Sequence, residues 1–128
     1  MSEKRRLEAL TAYLKERHER VMALEAGAAR ALEKGDTQDY ISAMRAKAEL
    51  LSRLNEDAKP LLEPFPGEAR FRLALSLDGF ASGANTALRL NSVFYMSALL
   101  YPDDHKQGEM DNLLAFIGRL EREGENFS

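Results

Sequence analysis

The 128-residue sequence predicts an all-α protein, an antiparallel helical bundle of about four helices with one long, nearly uncharged third helix. Three observations lead there. Apolar residues recur at alternating intervals of three and four, which places them on one face of a helix. The interruptions between these runs carry glycine, aspartate and proline, residues that end and start helices. No segment alternates apolar and polar residues as a half-buried strand would. A single domain over 1–128 is expected at this length, burying roughly two thirds of the unfolded chain's surface.

The first helix is expected at about 3–33. Leu7, Leu10, Leu14, Val21, Leu24, Ala28 and Ala31 form its stripe, with one polar gap at Arg17 and His18. Lys34-Gly35-Asp36 ends it: a glycine after the last apolar turn takes the left-handed cap conformation, and a cation just before it suits the helix C-terminus. Asp36 or Thr37 then supplies the capping oxygen of a second helix, about 37–58, with Ile41, Met44, Ala48, Leu51 and Ala58 on its inner face. So short a link sets the two helices side by side and antiparallel.

Pro60, Pro64 and Pro66 remove backbone donors and close the second helix, while Leu61, Leu62 and Phe65 pack the connector onto the bundle. A third helix is expected at about 68–100. Leu73, Leu77, Phe80, Ala84, Ala87, Asn91, Phe94 and Ala98 stay in phase across Gly79 and Gly83, where a kink or break is also possible. Tyr101-Pro102 ends it. Asp103 or Asp104 caps a fourth helix, about 105–122, carrying Met110, Leu113, Leu114, Ile117 and Leu120, and the tail from Glu123 to Ser128 frays.

Composition excludes several chemistries. With no cysteine there is no disulfide framework, thiol nucleophile or Cys-ligated metal centre. A net charge of −3 provides no global field for nucleic acid, and the Lys4-Arg5-Arg6 run is flanked by Glu3 and Glu8. No apolar run follows the charged N-terminus, so no secretory signal is expected. The least charged stretch, 79–101, carries too many polar residues for a membrane span. A cytoplasmic location with no membrane partner is expected.

Catalytic and metal-binding patterns are equally sparse. Neither His18, with Lys15 three positions earlier, nor His105, preceded at that spacing by Pro102, completes the Glu-x-x-His pair of di-metal bundles. Asp103, Asp104, His105, Glu109 and Asp111 are the densest set of potential ligands; their plainer reading is an acidic helix N-terminus that complements the macrodipole. There is no glycine-rich phosphate cradle, His-Glu-x-x-His or nucleophile elbow. The expectation is therefore no enzyme, no metal and no cofactor.

What remains is binding. Between Leu73 and Tyr101 only Asp78 and Arg89 are charged, a pattern for either a central helix or an intermolecular face. Gly79 and Gly83 permit close approach of another helix, and Phe94 to Tyr101 is the richest apolar cluster. Leu73, Leu77, Phe80, Gly83, Phe94, Tyr95, Leu99 and Leu100 are the expected contacts to a protein partner or to a second copy in a homodimer. The predicted function is a non-enzymatic binding module of adaptor, chaperone or inhibitor type with an apolar helical groove. The alternative is a structural homodimer with no other partner.

The stretch from Leu24 to Leu54 includes Ala31-Leu32-Glu33-Lys34-Gly35-Asp36 and Arg45-Ala46-Lys47-Ala48-Glu49-Leu50-Leu51-Ser52-Arg53-Leu54. It resembles the helical hairpin of flagellar type III export chaperones. That resemblance covers about a quarter of the chain and implies a small cytoplasmic protein that binds helical ends of secreted subunits. The half after Pro60 departs from that family's pattern, and no functional residues are carried over.

Overall fold

The computed structural model describes residues 2–122, so the tail at 123–128 lies outside the described residues. All regular structure among the described residues is helical: α1 (Glu3–Glu33), α2 (Thr37–Ser52), α3 (Leu54–Leu62), α4 (Gly67–Arg89), α5 (Val93–Ala98) and α6 (Asn112–Arg122). None of these helices is long and apolar enough to cross a membrane.

The first hairpin forms as its sequence dictates. Ser2 caps α1 by accepting the Arg5 N–H at 3.2 Å. Gly35 takes a φ of 75° at the far end, where the Asp36 N–H reaches back to the Ala31 carbonyl at 2.8 Å. Asp36 then caps α2 by accepting the Asp39 N–H at 3.0 Å. Along α1, Glu25 lies beside Lys47 of α2, while Arg17 lies beside Asp57 and the Tyr13 hydroxyl donates to the Leu54 carbonyl at 3.0 Å, both in α3.

Four expected boundaries are corrected. The helix expected at 37–58 is interrupted at Arg53, whose φ and ψ of −103° and 2° leave the helical region, and it resumes as α3. Pro60 does not close that element, because α3 continues through it to Leu62. The lost backbone bond and the ring's clash with the preceding turn carry a cost of about 3 kcal/mol or more. Burial of Leu62 beside Ala58 and Leu54 offsets it, each large side chain contributing about 1.5–3 kcal/mol.

The helix expected at 68–100 is continuous through Gly79 and Gly83 and stops instead at Arg89. Asn91 adopts a φ of 51°, and the Ser92 N–H returns to the Ala87 carbonyl at 3.1 Å, a left-handed helix stop on asparagine rather than glycine. Ser92 immediately caps α5 through the Tyr95 N–H at 3.2 Å. Glu68, Arg70, Arg72, Asp78 and Arg89 all fall within α4, so the charges of the expected third helix are concentrated in a shorter element and the uncharged residues 90–100 lie outside it.

The last helix starts at Asn112 rather than near 105. Asp111 is its cap, accepting the Leu114 N–H on Oδ1 at 2.9 Å and the Ala115 N–H on its carbonyl at 3.0 Å. Pro102 to Met110 fold into turns closed by the His105 N–H to the Pro102 carbonyl and the Glu109 N–H to the Lys106 carbonyl.

The main core draws Leu10, Leu14 and Val21 from α1, Leu54, Ala58 and Leu62 from α3, Leu73, Leu77 and Ala84 from α4, and Leu113, Phe116, Ile117 and Leu120 from α6. Phe65 is buried among them with the Arg6 guanidinium 5.5 Å from its ring centre, so the connector packs on the bundle as expected. A second cluster, Ala28, Met44, Ala48, Ala87 and Met96, joins the α1–α2 turn to the end of α4 and to α5.

Candidate functional site

The buried face of α4 is lined by Ala69, Leu73, Leu77, Ala81, Ala84 and Ala87. Helical geometry sends Phe71, Leu75, Gly79, Ser82, Thr86 and Leu90 to the opposite side. There, Phe71 is 63% exposed, Leu75 53% and Leu90 57%, and α5 adds Phe94 at 75% and Tyr95 at 52%. Thr86, Leu90 and Tyr95 line one shallow groove of about 420 Å³ together with Gly83 and Leu99. The Phe94 and Tyr95 rings meet edge to face at 5.8 Å. A β-carbon added at Gly79 would meet nothing within 4 Å, so the middle of this face is open backbone. Phe71 lines a separate groove beside Lys59, Leu62 and Glu63 of α3, whereas Leu90, Phe94 and Tyr95 cluster at the α4–α5 junction, the kind of patch that marks an interaction surface.

The expected contact residues divide in two. Gly83, Phe94 and Tyr95 lie on this outer face, and Leu99 is half-buried at its edge. Phe80 is half-buried against Phe116 of α6, ring centres 5.9 Å apart. Leu73, Leu77 and Leu100 are core residues with no surface to offer a partner. The periodicity that grouped Leu73 with Leu77 is correct, but α3 packs on that side of α4, and the two leucines share the main core with residues of α1, α3 and α6. Phe71, Leu75 and Leu90 were missed. They were legible as the residues half a turn away from Leu73 and Leu77 on an otherwise polar face.

A buried polar cluster ties the 97–111 segment to the first hairpin. Lys47 has no exposed side-chain surface; its Nζ lies 2.8 Å from Glu25 Oε2 and donates to the Ser97 carbonyl at 3.0 Å. The Tyr101 hydroxyl donates to Glu25 Oε1, and Lys47 Nζ sits 5.0 Å from the Tyr101 ring centre. Burial lowers the Lys47 ammonium from its usual range, with the Glu25 carboxylate opposing that shift. Burial also raises the Tyr101 hydroxyl well above its usual value, and the neighbouring Glu25 carboxylate adds to the rise. With no exposed surface, the Lys47 amine serves as a tether between helices rather than as a group open to a substrate.

The acidic run near His105 does not converge. His105 Nε2 is 2.9 Å from the Glu109 carbonyl, Glu109 Oε1 accepts the Lys106 N–H, and Asp111 faces His18 instead. Among the described residues no three His, Cys, Asp or Glu side chains gather to hold a metal ion. A cleft of about 640 Å³ between α1 and the α2–α3 junction is lined by Arg17, Arg20, Arg53, Glu49 and Asp57 among others. Asp57 lies 4.0 Å from Arg17 and 3.4 Å from Arg53, so its charges largely cancel within the chain.

Compared with protein-family models, with curated proteins and with solved structures, the chain matches none.

Proposed function

We propose that this chain is a non-enzymatic protein-binding module, an antiparallel helical bundle of adaptor, chaperone or inhibitor type, acting in the cytoplasm without metal or cofactor. Its docking surface is the outer face of α4 and α5. The observation that carries this reading is the exposure of Leu90, Phe94 and Tyr95 around one groove at the α4–α5 junction, with Leu75 and Phe71 exposed further back along α4. Covering what remains exposed of each side chain gains roughly half to three quarters of the about 1.5–3 kcal/mol for full burial, which favours association. The patch lies outside the bundle, where the expected groove through Leu73 and Leu77 does not. The likeness of the 24–54 hairpin to flagellar export chaperones agrees with a helical partner. A structural homodimer with no other partner would use the same face.

The test is covalent capture with a reversible crosslinker in the protein's own cells, using the natural chain and a Leu75→Glu/Phe94→Glu variant. Both positions are exposed, so the variant keeps the helical far-ultraviolet signal and thermal midpoint of the parent. The natural chain is expected to give a discrete adduct that the variant lacks. An adduct equally strong in the variant would remove the outer face from consideration.

A further inference from the structure

We infer that α5 and the turns after it, residues 93–111, form a sprung strap: the Lys47–Glu25 pair clasps a strained turn at Leu100, and release of that clasp dismantles the groove at the α4–α5 junction. This rests on the groove belonging to the docking face and adds what holds the groove in its competent form.

Ala98 to Tyr101 make a type II turn. Leu99 has φ and ψ of −55° and 136°, Leu100 has a φ of 77°, and the Tyr101 N–H closes the turn on the Ala98 carbonyl at 3.0 Å. The third position of such a turn calls for glycine, because a β-carbon crowds the backbone in that conformation. A leucine there is strained, and strain of this kind persists only where the surroundings enforce it.

The enforcing bonds reach one ion pair from both sides of the turn. Before it, the Ser97 carbonyl accepts from Lys47 Nζ at 3.0 Å; after it, the Tyr101 hydroxyl donates to Glu25 Oε1. Lys47 Nζ and Glu25 Oε2 lie 2.8 Å apart, with the Lys47 side chain wholly buried. The Leu100 side chain is held in the main core, and its carbonyl accepts the Asn112 N–H at 2.9 Å. Asp111 fixes the far end on His18. Between these anchors α5 has only six residues and 99–111 only turns, too little regular structure to stand alone. Such segments open at lower free energy than the bundle that carries them.

The strap includes one wall of the groove. Tyr95, Ala98 and Leu99 line it opposite Gly83, Thr86 and Leu90, and a β-carbon added at Gly83 would lie 3.7 Å from Leu99 Cδ2. Relaxation of Leu100 to a negative φ redirects the chain at Leu99 and uncovers Ala87, which is 1% exposed in the clasped form. An occupant of the groove meets that wall only while the clasp holds, so occupancy and clasp stabilise each other.

Amide exchange resolved by NMR tests the strap in the protein alone. The hydrogen-bonded amides of Met96, Tyr101 and Asn112 are expected to exchange at one common rate, about ten-fold faster than Leu77 and Ala81 inside α4. Lys47→Met with Glu25→Gln removes the clasp without stranding a charge and should raise the common rate about ten-fold again, while Leu77 and Ala81 stay slow. Leu100→Gly and Leu100→Ala both give up the leucine's core contacts. At an unstrained site alanine would protect better, since glycine loses more chain entropy; strain reverses the order, and the glycine variant should exchange about three-fold slower. Because the chain contains no cysteine, a thiol reagent on Ala87→Cys reads the groove floor alone, and its labelling rate should follow the strap amides. Strap amides as slow as those of α4, an alanine variant at least as protected as glycine, or labelling at the α4 rate would each overturn the strap. Capture in cells separates the two readings. No adduct, with strap exchange as expected, removes the docking face and keeps the strap; an adduct with strap amides as slow as those of α4 removes the strap and keeps the docking face.

Discussion

Asp111 joins His18 on α1 to the first turn of α6: its Oδ2 lies 2.7 Å from His18 Nε2, and its Oδ1 accepts the Leu114 N–H at 2.9 Å. Both side chains are nearly out of solvent. One carboxylate therefore starts α6 and attaches it to the point where the apolar stripe of α1 turns polar. The lone gap in that stripe, at Arg17 and His18, marks the attachment rather than an error of patterning.

Replacing Asp111 by alanine removes the cap and leaves His18 without its partner. The cap contributes about 0.5–2 kcal/mol and the lost bond to a buried group about 1–3 kcal/mol. Urea unfolding of Asp111→Ala should show a loss within the sum of those ranges. Asp111→Asn keeps a capping oxygen and should lose less. If the two variants are equally stable to within experimental error, the dual role of Asp111 is wrong.

Lys47 and Glu25 form the second attachment. Truncating Lys47 to alanine leaves the largely buried Glu25 carboxylate with the Tyr101 hydroxyl but without its cation, at a cost of about 3–5 kcal/mol. Replacing both, as Lys47→Met with Glu25→Gln, removes the desolvated charges together and should recover most of that loss. A double variant no more stable than Lys47→Ala in chemical unfolding would show that packing, not the ion pair, accounts for the effect.

Alkaline pH acts on the same cluster through two opposing groups. Tyrosine in the unfolded chain ionises near its ordinary value of 10, whereas folded Tyr101 is raised well above it and keeps its proton. Tyr101 thus contributes stability that is present below about pH 10 and is lost as pH rises above it. Lys47 has the opposite sign: its folded value is lowered, so the unfolded chain holds that proton longer and stability rises as pH increases toward the ordinary value of 10.5. The Tyr101 displacement is the larger, so net stability falls above about pH 10. Urea midpoints measured from pH 8 to pH 11 should decline in the natural chain and decline less in Tyr101→Phe. Parallel declines would remove Tyr101 as the cause.

Asn91 stops α4 in a left-handed conformation, with its side-chain carbonyl accepting from the Arg45 guanidinium. Alanine there meets the steric penalty of that region and should cost about 1–2 kcal/mol. Glycine relieves the backbone but forgoes the bond to Arg45, so Asn91→Gly should fall within about 0.5 kcal/mol of the parent. Thermal unfolding that ranks alanine above glycine would contradict the left-handed stop.

These residues also show what was legible. Gly35 and Asp36 were readable because one residue supplies the left-handed cap and the next the capping oxygen, with no competing signal. Asn91 and Ser92 carry the same stop-and-start chemistry, but apolar residues stay in phase across them, and the phase concealed the break. Asp103 and Asp104 were plausible caps; only Asp111 has both a helix after it and His18 across from it. Lys47 sits in an alanine-rich helix and reads as a solvated cation, since its burial arises from Glu25 and Tyr101, which lie 22 and 54 residues away in sequence. For α4, spacing showed which residues share a face. Which face turns inward was decided by the elements packed around it.

The most direct test of the docking face places a photo-reactive phenylalanine analogue at Phe94, the most exposed of its aromatic residues, and irradiates the protein in its own cells. The account predicts a discrete crosslinked adduct from Phe94 and none from the same analogue at the exposed control position Ser42. No adduct from Phe94, or adducts of equal yield from both positions, would contradict it.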